Sequence, residues 1–193
     1  MSIPDTRRIA TRHEVESSLQ DDEYGDWFAD QFALWDNPRF AGLQWSSLGD
    51  LRGRITPSQL TLLSVSTLIN QVANGGLEQC FFNYESDAPL LRTQIDALGW
   101  PELSDRFKEK FEAAFETTNT KGLLQTLKAA EHEGSDVGDP EAKPFSHFVK
   151  IYDVFDFDDF NEWLLVEGYP GLTARLKAFI RANEAELFDV TDD

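Results

Sequence analysis

Residues Leu68 to Asp87 read LINQVANGGLEQCFFNYESD, and they place Gly75 and Gly76 in the middle of a strongly apolar run. Upstream, TPSQLTLLSVSTLINQV (Thr56–Val72) carries the punctuation of a helix start. Thr56 is a good N-cap, Pro57 suits the first helical position, and Gln59 completes a capping box. The body of that segment, Leu60, Leu62, Leu63, Val65, Leu68, Ile69 and Val72, is apolar on most sides, which predicts a central helix. Asn74-Gly75-Gly76 then reads as its stop, because glycine can take the left-handed conformation that closes a last turn. As a phosphate cradle the segment fails. It follows a helix instead of a strand, and it lacks both G-x-G-x-x-G and G-x-x-x-x-G-K-[ST].

Working outward, the helical period continues. LEQCFFNYE predicts a short helix and SDAPLLRTQIDALG another, capped by Ser86 or Asp87 and stopped by Gly99. In PELSDRFKEKFEAAFETT, Leu103, Phe107, Phe111 and Phe115 recur every fourth residue as one apolar stripe. KGLLQTLKAA extends the pattern, and EHEGSDVGDPEAKP is a charged, Gly/Pro-bearing loop. Near the C-terminus, Phe148, Ile151, Tyr152 and Phe155 form a stripe that Phe160, Trp163 and Leu164 continue after a break at Asp156. After Tyr169-Pro170-Gly171, a last helix turns Leu172, Leu176, Phe179 and Ile180 inward. Toward the N-terminus, Tyr24, Trp27, Phe28, Phe32 and Trp35 share a helix face that Asn37-Pro38 ends. RFAGLQWSSLGDLRGRI is an irregular connection with Trp45 and Leu48 against the core. No run alternates with period two. The expected fold is mainly α: a compact multi-helix single domain over residues 14–193, behind a mobile polar tail at 1–13, with an added N-terminal helix left open.

Composition bounds the function. Fifteen phenylalanines and five tryptophans suffice for a real core. Seventeen basic against thirty-five acidic residues leave a formal charge of −18. That charge opposes direct contact with nucleic acid or an anionic membrane and favours a basic partner. Cys80 is the only cysteine, so neither an internal disulfide nor a cysteine zinc cluster can form, and its apolar context predicts an inert thiol. The N-terminus lacks the apolar stretch of a signal peptide, so the expected location is cytoplasmic.

Candidate chemistry is sparse. Asp153, Asp156, Asp158, Asp159 and Glu162 are the densest carboxylates, yet a calcium loop counted from Asp153 meets Asp158 where glycine is required. A carboxylate-dependent hydrolase would need these acids in pairs on one helix face. His13, His132 and His147 are scattered without metal-ligand spacing. No enzyme, cofactor or metal is expected. What remains is rows of acids at helical spacing: Asp21, Asp22, Asp26 and Asp30, then Glu109, Glu112 and Glu116, then Asp156, Asp159 and Glu162. Residues three and four apart lie about 5–6 Å from one another, so such rows offer fixed negative charge to a partner's lysines and arginines. An ordinary solvated face has the same pattern.

Asn74, Gly75, Gly76, Glu78, Gln79, Phe81, Phe82 and Asn83, followed by a helix ending in Ala-Leu-Gly, match the mark of a bacterial family. The chain resembles the DNA-mimic protein family of small helical domains, whose signature here reads N-G-G-x-E-Q-x-F-F-N. The resemblance covers roughly residues 55–190 and implies a helical fold. It further implies an acidic protein, dimeric in the family's namesake, that sequesters a transcription factor by occupying its DNA-binding surface. The partner expected here is therefore a basic protein, such as a DNA-binding transcription factor or nucleoid protein, and a homodimer is left open. An immunity-type inhibitor of a basic toxin nuclease is the alternative reading.

Overall fold

The computed structural model describes residues 5–20, 33, 34, 36–116 and 157–191, and every element below lies within them. Strand β1 (Arg8–Thr11) leads into α1 (Arg12–Gln20), then α2 (Pro38–Ala41) and a 3-10 turn at Leu48–Leu51. The long α3 (Pro57–Asn83) is followed by α4 (Ala88–Ala97) and α5 (Pro101–Phe111), which widens into a π turn at Glu112–Glu116. Helix α6 (Asp158–Glu162) widens likewise at Trp163–Glu167 before α7 (Tyr169–Ala182), α8 (Glu184–Leu187) and β2 (Phe188–Thr191). The fold is mainly α, as the periodicity predicts.

Helix α3 is the axis. Leu62, Leu63, Val65 and Leu68 are fully buried, because α4, α6 and α8 all pack against it. The predicted capping box is present: Gln59 N donates to Thr56 Oγ1 at 3.2 Å and Thr56 N donates to Gln59 Oε1 at 3.1 Å. The stripe of α5 also holds, with Leu103, Phe107 and Phe111 buried and Phe115 packed against the core.

The N-terminal segment departs from expectation. Within the stretch expected to be a tail over residues 1–13, residues 6–11 are tied into the domain. Arg8–Thr11 pairs in parallel with Phe188–Thr191, Ala10 is buried, and Thr6 bonds the capping glutamine through Thr6 Oγ1 to Gln59 Oε1 at 2.6 Å and Gln59 Nε2 to Thr6 O at 2.7 Å. Alternation over four residues is too short to stand out beside helical periods, and the partner strand lies at the far end of the chain. Four charges then cross-link the sheet. Arg7 and Arg39 each reach both Asp5 and Asp189, within 3.8 Å.

Three further departures have local causes. The stretch expected to be an irregular connection opens with the short helix α2, which Asn37 caps, its Oδ1 accepting from Arg39 N at 3.0 Å. Tyr169-Pro170-Gly171 is the first turn of α7, where Gly171 lets the Trp100 ring pass; a Cβ there would stand 3.1 Å from it. Asp87 precedes α4 but caps a different segment. Its buried carboxylate accepts from Leu48 N at 2.8 Å and Gly49 N at 3.1 Å, fixing the 3-10 turn against α3 and α4. The predicted helix over residues 24–35 and the stretch around KGLLQTLKAA fall outside the described residues, apart from Ala33 and Leu34, which are buried.

Candidate partner-binding site

The glycine pair that opens the sequence argument divides α3 into two helices. Gly75 is extended (φ −175°), whereas Gly76 has φ +80° and ψ 173°, a region in effect reserved for glycine. The stop is therefore made by an extended step at Gly75 and this special backbone at Gly76, not by the left-handed cap expected from the sequence. The abrupt step leaves the amide of Leu77 to be satisfied, and Asn161 of α6 does so, its Oδ1 accepting at 2.8 Å. Glu78, one residue on, is buried. Its Oε1 accepts from Phe157 N at 2.9 Å, at the start of α6, and its Oε2 accepts from Asn161 Nδ2 at 3.2 Å. A Cβ on Gly76 would collide with Glu78 Oε2 and stand 2.8 Å from Asn161 Nδ2. The motif thus builds a two-way clasp between α3 and α6. The carboxylate of Glu78 and the amide of Asn161 are engaged within the protein, as a structural role requires.

The remaining motif residues complete the joint. Gln79 Nε2 and Asn83 Nδ2 both donate to Gln71 Oε1, at 3.2 and 2.7 Å, stapling the two halves of α3 across the step. Asn74 is exposed and Phe82 is partly buried against the core. Phe81 is buried at the centre of four rings, Phe107, Phe111, Phe115 and Phe157, whose centroids lie 5.0–6.4 Å away with their planes steeply inclined. Edge-to-face geometry is the favourable arrangement for such pairs. Cys80 is buried, and burial pushes its thiol up to about 12 from the usual 9.0, which removes it as a nucleophile.

Through this clasp and the Phe cluster, α6 lies beside α5, and two of the predicted acid rows come together. Lys110 Nζ sits between them, 2.9 Å from Asp159 Oδ2 and 3.4 Å from Glu109 Oε1. The hydrogen bond from Lys110 holds the Asp159 carboxyl below the usual range, against a smaller opposing effect of burial. For Lys110 burial is the largest single influence and disfavours the charge, yet the attraction of Asp159 and Glu109 outweighs it and raises the ammonium's pKa. Glu112 stands 3.9 Å from both Arg92 and Lys108. Asp158 and Glu162 are exposed on the outer side of α6, and Glu116 belongs to the π turn after α5. Asp153 and Asp156, like His132 and His147, lie outside the described residues. The row at Asp21, Asp22, Asp26 and Asp30 lies outside them too.

Two features of this face escape a reading of acids alone. Lysines and arginines are interleaved with the α5 row, so Glu109, Glu112 and Asp159 carry less net field than their number suggests. Arg106 adds to that balance, its guanidinium carbon 4.4 Å from the centre of the Trp163 ring and its charge still felt by Asp159. The i, i+4 spacing of Lys108 and Glu112 was legible in the sequence; the Lys110–Asp159 tie, 49 residues apart, was not. Among the described residues no group of three or more His, Cys, Asp or Glu is arranged to hold a metal ion, and no helix is long and apolar enough to cross a membrane.

The fold and this face define a helical protein with an acidic surface, organised around a glycine-broken central helix. The family described as DMP19-like protein matches residues 53–183, more than half of the chain, and the chain belongs to that family. The match begins just before α3 and closes at the end of α7, so β1, α1, α2, the 3-10 turn, α8 and β2 lie outside it. Comparison with curated proteins and with solved structures gives no match.

Proposed function

We propose that this protein acts by binding, as an acidic DNA mimic that occupies the DNA-contacting surface of a basic protein. The observation that carries the reading is the net charge of −18 on a member of the DMP19-like family. The joined α5 and α6 acids supply a candidate contact. Asp158, Asp159 and Glu162 stand on α6 and Glu109 on the adjoining α5, with Glu112 and Glu116 in the π turn that follows it. Charges fixed in this way can meet lysines and arginines without first being ordered. Contact of this kind weakens as salt rises, because exposed charges are screened beyond about 10 Å at 0.1 M. The test is affinity capture on the immobilised protein from a lysate of the source cells at low salt, followed by a salt gradient. A basic DNA-binding protein retained at low salt and released by the gradient supports the reading; recovery of none overturns it.

A further inference from the structure

We propose that Leu165 and Val166 form an apolar anchor within the acidic contact, and that the partner presents an apolar side chain flanked by cations. The proposal rests on the acidic-binding reading and specifies the chemistry of the surface that fits it. From Phe157 to Gly168 the chain separates cleanly by side. Phe157, Phe160, Trp163 and Leu164 are buried, whereas Asp158, Asp159, Glu162, Leu165, Val166 and Glu167 are exposed. Glu162 is three and four residues before Leu165 and Val166, so the outer face runs from an acidic turn directly into an apolar one. Val166 is 67% exposed and Leu165 37%; among the described residues the only other exposed large hydrophobic side chain is Ile9. The π turn closes through Gly168 N donating to Trp163 O at 2.6 Å, while the Trp163 ring packs against Trp100 at 5.4 Å with the planes inclined by 38°, so the backbone that carries the pair is braced from beneath.

Charge selects the occupant. Glu162 and Glu167 bracket the apolar pair, so a second copy of this face or an anionic lipid surface would meet like charge. A cationic segment with an apolar residue at its centre meets both elements at once. Burying an aliphatic side chain contributes enough for about a tenfold gain in affinity. That gain is insensitive to salt, unlike the carboxylate contacts around it.

Two synthetic helical peptides of equal charge test this, one placing leucine at i, i+3, i+4 and i+7 among lysines and one with glutamine at those positions. Titrated into the full chain near physiological salt and followed by fluorescence anisotropy, the leucine peptide should bind about tenfold more tightly. The doubly substituted Leu165→Ser, Val166→Ser protein should erase that ratio, since both side chains are exposed and their loss leaves the core intact. Glu162→Gln with Glu167→Gln should weaken both peptides and preserve the ratio. A ratio near one for the unaltered protein, or one that survives the serine substitutions, overturns the anchor while salt-sensitive binding of both peptides leaves the acidic-binding reading standing. Binding of neither peptide overturns both. Self-association abolished by the serine substitutions, with peptide affinity unchanged, would assign the pair to a contact between copies and overturn the proposal.

Discussion

Replacing Gly76 by alanine should cost far more than a glycine-to-alanine change usually does, and the structure says why in two parts. The backbone at φ +80°, ψ 173° lies where a Cβ is strained, at about 1–3 kcal/mol. The added methyl would also collide with Glu78 Oε2 and crowd Asn161 Nδ2, prising open the clasp. Leaving the buried Phe157 amide or Glu78 carboxylate without its partner adds about 1–3 kcal/mol for each group. With one such group stranded the sum is about 2–6 kcal/mol, a large share of the 5–15 kcal/mol typical of a domain. Gly99→Ala is the control: Gly99 also has positive φ, at 74°, but nothing lies within 4 Å of its would-be Cβ, so strain of about 1–2 kcal/mol acts alone. Urea unfolding, followed by the fluorescence of the buried pair Trp100 and Trp163, measures both. The effect must also be non-additive, because removing the obstructing carboxylate with Glu78→Ala should make Gly76→Ala cheaper. A Gly76→Ala cost no greater than that of Gly99→Ala, or strict additivity with Glu78→Ala, would refute the clasp.

Phe81→Ala removes the hub of four edge-on rings and should destabilise by about 3–5 kcal/mol in the same unfolding assay. Asp87→Ala leaves the buried amide of Leu48 and the more exposed amide of Gly49 without their acceptor and should cost about 1–3 kcal/mol, with no change in the α5–α6 face, as thermal unfolding and peptide titration would show. The Asp159 carboxyl titrates below its ordinary 3.8, so its pairing with Lys110 contributes fully above that pH and is lost as pH falls through the lowered value. In Lys110→Met the Asp159 carboxyl should return toward the ordinary value, observed by NMR titration of its side-chain carbon. Asp5, held at about 2 chiefly by its hydrogen bond from Arg7, should stay where it is in that variant.

The helices were legible because their signals are local and redundant. Thr56-Pro57 and Gln59 mark the start of α3, and the four-residue spacing from Leu103 to Phe115 marks the inner face of α5 and its π turn. The short parallel sheet was not, since Ile9 is exposed beside buried Ala10 in a strand of four residues and its partner is distant in sequence. Polar side chains that serve a remote segment were equally hidden. Asp87 stands where a helix cap belongs yet satisfies Leu48 and Gly49, and nothing in the spacing of Glu78 and Asn161 predicts that they meet. The acid rows were visible as rows; that two of them adjoin depends on the clasp and on Lys110, which only the fold brings into place.

The account turns on whether the acidic surface competes with DNA. Once the basic partner is captured, its complex with a fluorescent duplex should be titrated with this protein at several salt concentrations. The account predicts full displacement of the duplex, an affinity that falls steeply with salt, and a shallower fall when Asp158 and Glu162 are replaced by their amides. Simultaneous binding of duplex and protein to the partner, or an affinity indifferent to salt and to those substitutions, would contradict it.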